Sequence, residues 1–148
     1  MPRSTSSFLF PDINVWLALT YDRHAHHAIV NAWHQKLANE VHLCFCRFTQ
    51  LGLLRLLTTD AVMGSDQVLT QGQAWNVYDR CFADGRALLL DEPPRIEARF
   101  RSLSQGRRPA AKDWADSYLA AFAIEAGLCL VTLDQALHKK SHDGLLLT

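Results

Sequence analysis

The sequence has no surplus of either charge. Lysine and arginine together number 15, as do aspartate and glutamate, so the formal net charge of the 148 residues is zero. Proteins that grip nucleic acid by bulk electrostatics are usually basic. Any nucleic-acid contact here therefore needs a local patch or a bound cation. Long hydrophobic runs are also missing. No apolar stretch approaches bilayer-spanning length, and no membrane contact is expected. The stretch Met1-Pro2-Arg3-Ser4-Thr5-Ser6-Ser7 has one basic residue and no apolar core behind it, so it does not read as a signal peptide. Cysteine is sparse, and Cys44, Cys46, Cys81 and Cys129 form no C-x-x-C pair. They read as small buried residues of a reducing compartment, which points to the cytoplasm. The sequence carries no internal repeat and no low-complexity segment.

What is present is apolar. Half of the chain (49%) is hydrophobic and only 20% is charged, enough for a packed core and against disorder. The length predicts one domain over residues 1–148, with 1–7 expected to be flexible.

Short apolar runs alternate with segments of helical spacing. Phe8-Leu9-Phe10 predicts a strand, and Ile13, Trp16, Leu17 and Thr20 the helix after it. A second helix is expected over 24–39 and a strand over 41–45. A helix over 47–58 carries Leu51, Leu54 and Leu57. Residues 60–65 read as a loop. Ser65-Asp66-Gln67 reads as the cap of a further helix that Gly85 stops. A strand over 86–90, a helix over 95–103 and a basic linker over 104–109 follow. A helix over 112–126 with Gly127 as its C-cap leads to a strand over 128–132. A short helix to about residue 140 and a strand over 145–147 close the chain. Such alternation is the signature of an α/β domain with a mainly parallel sheet.

Acids punctuate these elements. Asp12 follows the first strand and Asp134 follows Leu128-Cys129-Leu130-Val131-Thr132-Leu133. Asp116 lies in the first turn of the helix feeding that late strand. If the strands are parallel, all three reach the carboxyl edge of the sheet, where open α/β folds bind ligands. Converging carboxylates either keep a proton or share a cation. All-oxygen donors suit Mg²⁺ or Mn²⁺. Each acid also has a plainer role: Asp12 and Asp134 as helix N-caps, Asp116 as a first-turn partner of the helix dipole.

Four segments in this order resemble the successive motifs of a PIN domain: Pro11-Asp12-Ile13-Asn14, Thr49-Gln50-Leu51-Gly52-Leu53-Leu54-Arg55, Asp116-Ser117-Tyr118-Leu119-Ala120 and Val131-Thr132-Leu133-Asp134. More narrowly, the chain is similar to VapC-type toxin ribonucleases of toxin–antitoxin systems. The resemblance implies a three-layer α/β/α fold and a metal-dependent endoribonuclease, with Asp12, Asp116 and Asp134 holding Mg²⁺ or Mn²⁺. It implies support from Asn14 and Thr132, a basic position at Arg55, an RNA substrate, a cognate antitoxin and a homodimer. The family commonly places glutamate in the middle helix where this chain has Gln50. An amide can hold a water through its oxygen but adds no charge and is no base. That departure keeps open a catalytically weak PIN-like module that binds nucleic acid or protein. A DNase or flap-type nuclease, sharing the chemistry, is a third and weaker reading.

His24, His26, His27 and His34, with Cys44 and Cys46, invite a zinc reading, but their spacing is not that of a known finger. A solvated helix start near the active edge, sensitive to pH, is the preferred reading. Arg107-Arg108 and Lys139-Lys140 are the doubled basic pairs and are candidates for RNA phosphates. Trp16, Trp33, Trp75 and Trp114 are expected in the core or at interfaces, with base stacking as an alternative for Trp114. The apolar surface after Leu51 is a candidate for dimerisation or for an antitoxin segment.

Overall fold

A computed structural model describes residues 7–148. The expectation of flexibility for residues 1–7 lies, except for Ser7, outside them. Five strands form one sheet: β1 (Phe8–Pro11), β2 (His42–Phe45), β3 (Ala87–Leu89), β4 (Cys129–Thr132) and β5 (Leu145–Leu146). Their order is β3-β2-β1-β4-β5, and all four pairings are parallel. The expectation of a mainly parallel sheet is met in full.

The continuous apolar runs follow from burial on both faces. Along β1, Leu9 points into one core and Phe10 into the other. Leu43 and Phe45 of β2 join the first core while Cys44 joins the second, and β4 divides Val131 from Leu130 in the same way. The first core lies under α1 (Ile13–Thr20), α3 (Arg47–Leu57) and α5 (Gln71–Arg80). The second lies under α6 (Ile96–Leu103), α7 (Asp113–Ala126) and α8 (Gln135–Lys140).

Within the first layer, α1 and α3 pack closely because position 52 is glycine. A Cβ there would sit 2.2 Å from Ile13 Cδ1. At the end of α7, Gly127 takes φ 71°, the left-handed C-cap that the sequence predicts.

Several boundaries differ from expectation. The second helix, α2, spans only His27–Gln35, because residues 21–26 are spent turning the chain. The expected loop at 60–65 contains a single helical turn, α4 (Asp60–Met63). The cap of α5 is Thr70 rather than Ser65-Asp66-Gln67. Thr70 Oγ1 accepts from Gln73 N at 3.2 Å, and Gln73 Oε1 accepts from Thr70 N at 2.9 Å. That reciprocal capping box outcompetes the earlier polar cluster. Of the tryptophans, Trp16 is core, whereas Trp75 and Trp114 are exposed.

Candidate active site

The chain builds β1, β2 and β3 outward in one direction, then crosses β1 to lay down β4 and β5 on its other side. The reversal falls between β1 and β4. The helices after these two strands depart to opposite faces, since α1 packs in the first core and Leu137 of α8 in the second. This opens a crevice at the carboxyl edge of the sheet, the ligand position of open α/β folds. Asp12 and Asp134 follow the two strands that flank it.

Register fixes the geometry. Pro11 pairs with Val131, and Asp12 N donates to Val131 O at 2.9 Å. Asp12 thereby comes beside Thr132. The Thr132 hydroxyl donates to Asp12 Oδ2 at 2.5 Å and accepts from Asp134 N at 2.9 Å. One buried threonine thus ties the two acids together. Asp12 Oδ1 accepts from Val15 N at 2.9 Å and caps α1. Asp134 Oδ1 accepts from Ala136 N at 2.8 Å and Leu137 N at 3.4 Å and caps α8. The capping role and the convergence are therefore compatible. Among the described residues, Asp134 Oδ2 makes no hydrogen bond, nor does the Asp116 carboxylate.

Asp116 reaches the same edge from α7, which runs antiparallel to β4. Burial pushes its carboxyl above the ordinary range. Asp134 and Asp113 push the same way, and the Lys140 ammonium opposes them. Lys140 pairs with Asp113 Oδ2 at 3.1 Å and donates to Leu103 O at 3.1 Å. This local cation was visible in sequence only as half of a basic doublet. Asp12 is the most perturbed acid, being 6% exposed. Burial raises its carboxyl to about 6, against the pull of the Thr132 hydroxyl and the Val15 N–H, while Asp134 and Asp116 raise it further.

The donor set is all oxygen and anionic, which fits a hard divalent cation. Among the described residues no three His, Cys, Asp or Glu side chains close into a ligand set for one ion. A cation that keeps several of its waters is the kind that fits so open an arrangement.

The other expected residues are placed as follows. Asn14 is exposed in the first turn of α1. Gln50 is buried in the first turn of α3, where its Oε1 accepts from Arg47 Nη1 at 2.6 Å. Its amide also meets the Tyr78 hydroxyl. Arg55 is exposed in the last turn of α3, carried away from the carboxyl edge, and Arg47 is the arginine at the start of that helix. Arg47 could have been found from its place just after a strand.

The histidines lie at the other end. α1 leaves the carboxyl edge and runs about 12 Å along the sheet, so the turn after it opens at the amino edge. His27 Nδ1 meets Ala18 O at 2.7 Å and His34 Nε2 meets Arg86 Nη2 at 3.2 Å. The expectation of a helix start near the active edge is therefore corrected. Cys44 and Cys46 are buried among apolar side chains of the second core.

Fold and site together define a parallel α/β/α domain with an acidic centre at its topological switch point. A profile of the PIN domain matches residues 9–143. The ribonuclease VapC41 of Mycobacterium tuberculosis is 42% identical over 131 residues, 86% of this chain and 90% of the relative. The chain belongs to the PIN-domain family, among its VapC-type members. Solved structures share the fold. VapBC2 of Rickettsia felis, bound to a DNA fragment of its promoter, matches 95% of this chain and 99% of its own with a TM-score of 0.68 and 12% identity. VapC20 of Mycobacterium tuberculosis, described as a Sarcin-Ricin loop cleaving toxin, matches 88% and 93% with a TM-score of 0.62 and 12% identity. At these identities the likeness is one of fold alone. No helix among the described residues is long and apolar enough to cross a membrane.

Proposed function

We propose that this chain is a Mg²⁺- or Mn²⁺-dependent endoribonuclease, the toxin of a type II toxin–antitoxin pair, hydrolysing RNA phosphodiester bonds in the cytoplasm. The observation that carries the reading is the joining of Asp12, Thr132 and Asp134 at the switch point, with Asp116 in electrostatic reach. The ribonuclease activity in the name of the VapC41 relative supports it.

Asp12, Asp116 and Asp134 would hold the cation. When bound, it would supply an activated water and positive charge for the attacked phosphate. Thr132 keeps Asp12 Oδ2 oriented and biased toward its ionised form, the form a cation needs. The helix caps fix Asp12 and Asp134 through one oxygen each and leave Asp134 Oδ2 without a hydrogen bond among the described residues. Lys140 offsets part of the acidic charge beside Asp116. RNA is the substrate and an antitoxin the partner in this reading. The exposed Leu51, Val62 and Trp75 offer an apolar surface for that partner or for a second copy in a homodimer.

The test is cleavage of RNA by the purified protein in Mn²⁺ against Asp12→Asn. The parent is expected to cleave and the variant to lose at least about a hundredfold in rate. Equal rates would remove Asp12 from the site.

A second reading has its own observation. Gln50 brings no charge, and Arg47 occupies its carbonyl oxygen. A catalytically weak domain that binds nucleic acid or protein would show no measurable Mn²⁺ binding in a calorimetric titration and no cleavage.

A further inference from the structure

Trp114 stands in the first turn of α7, two residues before Asp116, and is 59% exposed. An indole that open is not serving the core. It is nevertheless held in place. Phe100 of α6 meets its ring edge-on at 6.1 Å and meets Tyr118 at 5.9 Å. Tyr118 in turn donates to Glu92 Oε2 at 2.7 Å and contacts Phe48 at 5.7 Å. One side of the indole lines a cleft of about 350 Å³ with Ser104, Gly106, Arg108, Pro109 and Asp113.

The walls of this cleft are anchored. Ser104 Oγ donates to Phe100 O at 2.7 Å, and the Leu103 carbonyl accepts from both Ser117 Oγ and Lys140 Nζ. Asp113 is neutralised by Lys140. On the loop side of the opening the free charge is positive, from Arg107, Arg108 and Lys112, all exposed. A flat aromatic face, a cleft with room for a planar ring and cationic groups at its mouth match a nucleotide, base inside and phosphate outside. Asp113, which lines the cleft, stands one turn before Asp116 on the same face of α7 and acts on it electrostatically, so the cleft neighbours the carboxylates.

We propose that Trp114 and the 104–111 loop form a subsite for one unpaired base of the RNA, next to the phosphate that is cut. Trp114 stacks on the base and Arg108 meets the adjoining phosphate. This rests on the ribonuclease reading and names the residues that hold the substrate strand beside the cut.

The experiment uses the full chain carrying Asp12→Asn, which stops turnover, and a short fluorescein-labelled single-stranded RNA followed by anisotropy. Trp114→Ala should weaken binding about ten- to hundredfold and Trp114→Phe by no more than about threefold. An abasic site scanned along the RNA should weaken binding at one position, and only when Trp114 is present. Arg108→Ala should lower the slope of log affinity against log salt by about one. Unchanged affinity in Trp114→Ala overturns the subsite, as does equal loss in the Phe and Ala variants. A change in sedimentation of the RNA-free protein with RNA affinity intact also overturns it, making the indole a protein contact. Cleavage by the parent is measured separately. Trp114-dependent binding without cleavage fails the nuclease reading and keeps the subsite; cleavage with Trp114-independent binding does the reverse.

Discussion

Replacing Asp12 with asparagine should make the metal-free protein more stable at neutral pH. Asp12 is buried, and its carboxyl rises from 3.8 to about 6 in the fold. A rise of about two pH units corresponds to about 3 kcal/mol withheld from folding once the group is ionised. The sign follows from proton binding. Between about pH 4 and 6 the folded chain holds the Asp12 proton more tightly than the unfolded chain does. Stability therefore falls as pH rises through that window and is level in this respect above it. Asparagine removes the penalty and can still cap α1 through its side-chain oxygen. It cannot accept from the Thr132 hydroxyl at the second position as well, which costs about 1 kcal/mol. The net gain at pH 7.5 is about 2 kcal/mol, a rise in Tm of roughly 4–8 °C for a chain of this size. Below pH 4 the order reverses, because protonated Asp12 carries no charge penalty and the variant still lacks the bond. Urea unfolding in EDTA at a series of pH values, on both proteins, measures the difference directly. Manganese should then stabilise the parent and leave the variant little changed. A stability gap that does not change between pH 4 and 7.5 would refute the argument.

Two further perturbations test the neighbouring elements. Gln50→Glu adds a carboxylate in the first turn of α3 and should tighten Mn²⁺ binding about tenfold by calorimetry. The new carboxylate must be desolvated but meets the Arg47 guanidinium already bonded to Gln50 Oε1, so metal-free stability should change little; unchanged Mn²⁺ affinity would place Gln50 outside the site. Gly52→Ala should destabilise the fold by about 1–3 kcal/mol in urea, although alanine is the better helix former. Its Cβ would collide with Ile13, the residue after Asp12. A neutral or stabilising result would mean that α1 and α3 separate without cost.

The architecture was legible because periodicity reports burial. Phe8-Leu9-Phe10 and Leu128 to Thr132 read as strands, and Leu9 and Val131 enter one core while Phe10 and Leu130 enter the other. Boundaries were less legible where two polar clusters competed, as Ser65-Asp66-Gln67 and Thr70 did for the start of α5. The histidines were misplaced because their position depends on which way α1 runs from the site. Trp114 was expected to pack, since most large aromatics do. Its exposure follows from the path of the 104–111 loop, which no local pattern specifies.

By itself the sequence determined that Asp12 and Asp134 follow strands and that Asp116 opens a helix, and that all three reach one edge if those strands are parallel. Element type is local; the parallel pairing itself is shown by the structure. Only the tertiary structure decided that β1 and β4 are neighbours in a register that sets Thr132 between Asp12 and Asp134. It alone decided that Lys140 neutralises Asp113 and that Arg47, not Arg55, stands at the edge. Pairing partners and register arise from contacts far apart in the chain, where Asp12 and Thr132 are separated by 120 positions.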